Sequence, residues 1–266
     1  MQSGQLQRRL GLTSAISITV GAVIGSGIFL KPLAVAQALP NEGWIYALWV
    51  GLGLVCLFGA FAYAELGAMF PEAGGQYAFL REGWGRLPAF LYGWTFFWAI
   101  NAGTVNALAL AFAENLLPYF GVDMKAEAEA PFWLRIVPIA MILVLALVNH
   151  FGVVLGALVQ NVSTFGKLGA LALIVAGGLF AASEAAAPVA PPAAHAQTVT
   201  GLVGAFLGIF WAYEGWYQMP FNAAELKRPE RNLPLGLLGG MVILITVYLC
   251  INVVYLRVVP FAEMQA

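Results

Sequence analysis

The stretch Val20-Gly21-Ala22-Val23-Ile24-Gly25-Ser26-Gly27-Ile28-Phe29 puts three glycines within seven residues of an otherwise apolar run. Such a cluster serves one of three ends: cradling a phosphate, letting two helices approach closely, or opening a helix. A Walker A loop needs G-x-x-x-x-G-K-[ST], and a dinucleotide fingerprint needs G-x-G-x-x-G between a strand and a helix. Gly25-Ser26-Gly27 is followed by Ile28-Phe29-Leu30 and meets neither pattern. Gly21 and Gly25 do form a G-x-x-x-G face of the kind that brings membrane helices together. Packing and opening both remain open on this segment alone.

The surrounding composition sets the solvent. Of 266 residues, 61% are hydrophobic and 9% charged, against about a quarter charged in soluble domains. A chain this apolar belongs in a bilayer. The net charge of −1 carries no partner signal, and no basic cluster is dense enough for nucleic acid. Cys56 and Cys250 lie inside apolar runs and read as small hydrophobes. His150 and His195 have no ligand-spaced partner, so neither a metal site nor a cofactor is expected.

A span needs about twenty apolar residues to cross roughly 30 Å of hydrocarbon. By that measure seven spans are expected, at about 10–39, 45–70, 87–118, 132–149, 152–183, 199–225 and 235–259, forming one transmembrane domain. The apolar run after Arg8 and Arg9 is too long for a signal peptide and reads as the first span. The stretch from Glu184 to Gln197 is an Ala/Pro tract, expected as an external loop. Arg8, Arg9, Arg81, Arg86, Lys227, Arg228 and Arg231 fall on one side of this arrangement, which makes the N-terminus cytoplasmic.

A second glycine-interrupted span decides between packing and opening. Span 6 runs Gly208-Ile209-Phe210-Trp211-Ala212-Tyr213-Glu214-Gly215-Trp216, with an acid and a glycine at mid-span and Pro220 beyond. Two interrupted spans, five apart, are the sequence mark of an inverted-repeat transporter. At such a break one half-helix presents unpaired N–H groups, which suit a carboxylate. The other half presents free carbonyls, which suit an ammonium group or a cation. A zwitterionic amino acid matches both.

Gly25-Ser26-Gly27-Ile28-Phe29, Tyr63-Ala64-Glu65-Leu66-Gly67 with Gly74-Gly75 and Tyr77, and Tyr213-Glu214-Gly215-Trp216 through Pro229-Glu230-Arg231-Asn232-Leu233-Pro234 resemble the amino acid-polyamine-organocation superfamily, nearest its L-type amino acid transporter branch. The resemblance implies an all-α membrane protein with the LeuT-like five-plus-five inverted repeat. Residues 10–183 would be the first repeat and 199–259 part of the second, with the chain an N-terminal fragment ending after span 7. It also implies that Val23, Gly25, Ser26 and Gly27 on span 1, with Trp211, Ala212 and Glu214 on span 6, bind the substrate. Trp211 stands where the family has its gate aromatic, often a phenylalanine. Lys31, just past the break, departs from the small polar residue common in the family and has no assigned role.

An ionisable group inside a span is a functional candidate by default. Lys167 lies about fifteen residues from either end of span 5, too deep to snorkel easily. The resemblance makes it a stand-in for the sodium ion of sodium-coupled relatives; the other reading is a structural pair with a carboxylate. Glu65 lies near the cytoplasmic end of span 2, as a gating or structural residue. Glu214 could accept bonds from exposed backbone N–H groups, titrate in a proton pathway, or favour a cationic ligand.

The expected function is a sodium-independent secondary transporter for neutral amino acids, by exchange or proton coupling, in the cell membrane. A cationic amino acid or polyamine transporter is the alternative within the superfamily. An integral membrane enzyme, the competing class, would need a nucleophile with a base or a metal cluster, and no such constellation occurs at matching depth. The loop from Tyr119 to Pro131 holds no cysteine, so the disulfide-linked heavy chain of animal L-type members is not expected.

Overall fold

A computed structural model describes residues 8–122, 130–180 and 198–265. The Ala/Pro tract with His195, and the acidic loop around Lys125, lie outside the described residues. Among those described, the fold is helical, with one isolated parallel bridge, Leu10 to Leu226. Five helices among the described residues are long and apolar enough to cross a membrane, or six if one bent pair counts as a single span. The chain resolves into two compact units, Met1–Gly75 with Val159–Ala266, and Gln76–Leu158.

The first unit opens with α1 (Leu12–Val23) and α2 (Gly27–Ala38), the bent pair, which meet at 43°. Next comes α3 (Glu42–Met69), started by Asn41, whose side chain accepts a hydrogen bond from the Trp44 N–H at 3.3 Å. An asparagine in that place satisfies one of the four orphan donors of a helix start.

The second unit contains α4 (Gln76–Trp84), α5 (Arg86–Thr95), a π-helical segment (Phe96–Asn101), α6 (Ala102–Leu116), a 3-10 turn (Leu117–Phe120) and α7 (Ala130–His150). Its described buried side chains are mostly small, Ala78, Ala89, Ala109, Ala113 and Ala130. Small residues let helix backbones approach where no aqueous hydrophobic force acts between them. Helix α4 occupies part of what the sequence presents as a connector between spans 2 and 3.

Helix α8 (Val153–Phe180) leads back into the first unit. There follow α9 (Val199–Ala212), a 3-10 helix (Trp216–Glu225), α10 (Pro229–Val258) and α11 (Phe261–Met264). The segment after Gly215 is thus not the α-helical continuation expected of span 6. Pro220 removes a backbone donor in that segment, and tight 3-10 turns are the local solution.

The core of the first unit is where α3, α10 and α1 meet. Buried positions Ile45, Trp49, Leu52, Cys56, Ala60, Ala64 and Gly67 recur every three or four residues and make one face of α3. They oppose Leu233, Leu237, Met241, Leu244 and Tyr248 of α10. A Cβ on Gly67 would stand 2.7 Å from Leu233 Cδ2, so the glycine is what admits that leucine. Gly236 and Gly240 do the same for α1: a Cβ there would meet Ala15 Cβ at 2.5 Å and Thr19 Cγ2 at 2.6 Å.

Candidate functional site

The structure divides the three glycines of span 1 between the two uses left open by sequence. A Cβ on Gly21 would collide with the Thr164 hydroxyl and the Gln160 amide of α8. Gly21 is therefore a packing glycine. A Cβ on Gly25 would meet only the Val23 carbonyl oxygen, at 3.9 Å, and Gly25 is exposed. Packing does not account for it. It lies in the interruption itself, where α1 ends at Val23 and α2 begins at Gly27.

The second interruption is built at Tyr213-Glu214-Gly215, between α9 and the 3-10 helix. Gly215 adopts φ +120°, which a side chain would oppose. The two interruptions lock together through their glycines. A Cβ on Gly215 would stand 2.6 Å from the Ala22 carbonyl oxygen, and one on Gly27 would stand 2.8 Å from Ala212 Cα. Each break is seated against the other's backbone.

What the breaks leave unpaired defines their chemistry. Among the described residues, the N–H groups of Gly25, Ser26, Gly27 and Ile28 find no acceptor. They lie at the start of α2, whose partial positive charge favours an anion. The carbonyls, in contrast, are claimed from other helices. Lys167 donates to Ile24 O at 2.8 Å and to Gly21 O at 3.3 Å. Tyr248 of α10 donates to Ala212 O at 3.0 Å, with Val23 O at 3.4 Å from the same hydroxyl. A cation and a phenol thus satisfy the carbonyl ends of both interrupted helices.

Among the described residues, the hydrogen-bond partners of Lys167 are backbone oxygens. Thr164, one turn earlier, ties α8 to α1 by donating to Ser17 O at 3.2 Å. Trp211 is half-exposed, and the Lys31 ammonium lies 5.2 Å from its ring centroid. Ala212 is buried against Gly27. Glu214 is exposed, and its carboxylate accepts the Tyr217 hydroxyl at 3.0 Å rather than backbone N–H groups. Glu65 is exposed on α3, away from both breaks in sequence.

Sequence reasoning missed Tyr248. It is fully buried, with edge contacts to Trp49 at 5.5 Å and a tilted contact to Tyr213 at 5.0 Å. The Tyr213 hydroxyl in turn donates to Trp49 O at 3.0 Å. A tyrosine in the middle of an apolar span was the available signal, because its hydroxyl must find a partner when buried.

Residues 10–266 match the family model described as amino acid permease. The chain is 33% identical over 266 residues to the b(0,+)-type amino acid transporter 1 of Mus musculus, covering 99% of this chain and 54% of that protein. It is 31% identical to the human cystine/glutamate transporter, over 98% of this chain and 52% of the relative. It is 29% identical to the serine/threonine exchanger SteT of Bacillus subtilis, over 97% and 57%. The chain spans about half the length of the curated relatives it matches. These relatives are transporters and exchangers, not enzymes, which removes the membrane-enzyme reading. With five or six membrane-length helical spans among the described residues, the chain is a multi-pass membrane protein and belongs to the amino acid permease family of the amino acid-polyamine-organocation superfamily.

Proposed function

We propose that this chain builds the substrate-holding half of a secondary amino acid transporter, carrying neutral L-amino acids by alternating access in a LeuT-like frame. Residues 10–183 form its first inverted repeat and 199–259 enter its second. The N-terminus is cytoplasmic and the membrane is the cell membrane. The observation that carries the reading is the pair of interlocked breaks, with free N–H groups at Gly25 to Ile28 on one side and backbone carbonyls held from behind on the other.

The substrate carboxylate docks on the N–H groups of Gly25, Ser26 and Gly27, and the substrate ammonium on carbonyl groups near Val23 and Ala212. Each carbonyl oxygen has two lone pairs, so Tyr248 can hold one side of Ala212 O while the ammonium takes the other. Trp211 closes over the bound molecule. Glu214 holds Tyr217 just past the second break. Lys167 donates from its Nζ to the α1 carbonyls, a place that a sodium ion would otherwise fill, so transport is sodium-independent. Exchange is the favoured mode, since one relative, the serine/threonine exchanger SteT, bears that activity in its name. Glu65 serves the cytoplasmic gate, and no disulfide-linked heavy chain is needed.

Uptake of radiolabelled neutral amino acids into liposomes carrying the full-length transporter tests this. Uptake that persists when sodium is replaced by choline and rises with internal amino acid is the expected result. Strict sodium dependence would overturn the role of Lys167, and no uptake of any amino acid would overturn the function.

A further inference from the structure

Lys31 is a charge beside the breaks that the proposed mechanism leaves unused. It lies on α2, one turn beyond the first break, and is half-buried. Its stem crosses α9 at Gly208, where a Cβ would sit 3.4 Å from Lys31 Cδ. Its ammonium rests 5.2 Å from the Trp211 ring centroid, a cation–π contact between the two half-helices that flank the breaks. Among the described residues no carboxylate lies within ion-pair distance of it. An unneutralised positive charge at membrane depth is expensive to keep, which marks it for function.

We propose that Lys31 is a specificity-determining residue that excludes amino acids with cationic side chains from the site. The inference rests on the transport reading above and narrows its substrate class. Two effects act with the same sign. A cationic side chain reaching the Trp211 face meets a like charge in a partly buried setting, where repulsion is about four times its strength in water. It also finds the Trp211 ring, which would otherwise reward a cation, already engaged by the Lys31 ammonium. A neutral side chain meets neither penalty.

The test is the ratio of kcat/KM for arginine uptake to that for leucine uptake, measured in liposomes with the full-length transporter, for wild type, Lys31→Gln and Lys31→Arg. Wild type is expected to reject arginine. Lys31→Gln should raise the ratio about ten-fold or more, and Lys31→Arg, which keeps the charge, should restore the wild-type ratio. Should Lys31→Gln fail to insert, Lys31→Ser is read in the same way. A ratio unchanged in the neutral variants overturns the proposal while leaving leucine transport, and so the broader function, standing. Wild-type uptake of arginine as efficient as that of leucine overturns it directly. Uptake of neither amino acid by wild type overturns the transport reading and this inference with it.

Discussion

Gly27 of α2 lies so close to Ala212 of α9 that a Cβ on the glycine would stand 2.8 Å from the alanine's Cα and 2.9 Å from its Cβ. The two interrupted spans are joined there by backbone against backbone. At the neighbouring Gly25 a Cβ would meet nothing nearer than the Val23 carbonyl oxygen at 3.9 Å, an ordinary contact.

Gly27→Ala should therefore force the two breaks apart and destabilise the protein by about 1–3 kcal/mol, the usual cost of overpacking. Gly215→Ala adds conformational strain at φ +120° to a clash with Ala22 O and should be at least as damaging. Gly25→Ala should leave the melting temperature in detergent nearly unchanged. Thermal unfolding followed by size-exclusion fluorescence ranks the three; equal loss in Gly25→Ala would argue that the division of roles among the glycines is wrong.

Lys167→Met removes the donor to Gly21 O and Ile24 O and leaves two carbonyls at the end of α1 without that partner. An unsatisfied buried acceptor costs about 1–3 kcal/mol. The variant should lose uptake and unfold at lower temperature, with Lys167→Arg partly restoring both. Undiminished transport by Lys167→Met would show that the ammonium is dispensable.

Tyr248→Phe keeps the ring against Trp49 and Tyr213 and deletes only the hydroxyl that bonds Ala212 O. A stability loss of about 1 kcal/mol is expected. Because the freed carbonyls then lose their fixed orientation, KM should rise more than kcat falls. A purely structural tyrosine would lower the amount of folded protein without changing KM, which saturation kinetics on the purified variant would reveal.

Glu214→Gln preserves an oxygen that can accept the Tyr217 hydroxyl, now found at 3.0 Å. Uptake and its pH profile should stay within about two-fold of wild type if Glu214 acts by that bond. Loss of proton-driven uptake with retained exchange would instead place Glu214 on a proton path.

Much of the architecture is legible before any coordinates. Apolar runs of bilayer length announce the spans, because a backbone in hydrocarbon must bond to itself and helices do so locally. The interruptions at Gly25-Ser26-Gly27 and Tyr213-Glu214-Gly215 are legible too, since glycine within an apolar span weakens the helix at a known place. The deep lysine announces itself by the cost of its charge.

Three things depended on long-range packing. Gly21 and Gly25 share one motif, yet only Gly21 faces Thr164 and Gln160, residues more than a hundred positions away along the chain. Tyr248 is one aromatic among many until its hydroxyl is found bonding oxygens 36 and 225 positions earlier. Lys31 has no local reason to meet Trp211, and the form of span 6 beyond Gly215 had to fit around α1 and α10. The sequence by itself determined where the long apolar helices run and where two spans break, because those follow from local hydrogen bonding and hydropathy. Only the tertiary structure decided which distant groups satisfy the broken ends, because a hydrogen bond or a ring contact between spans depends on how the helices pack.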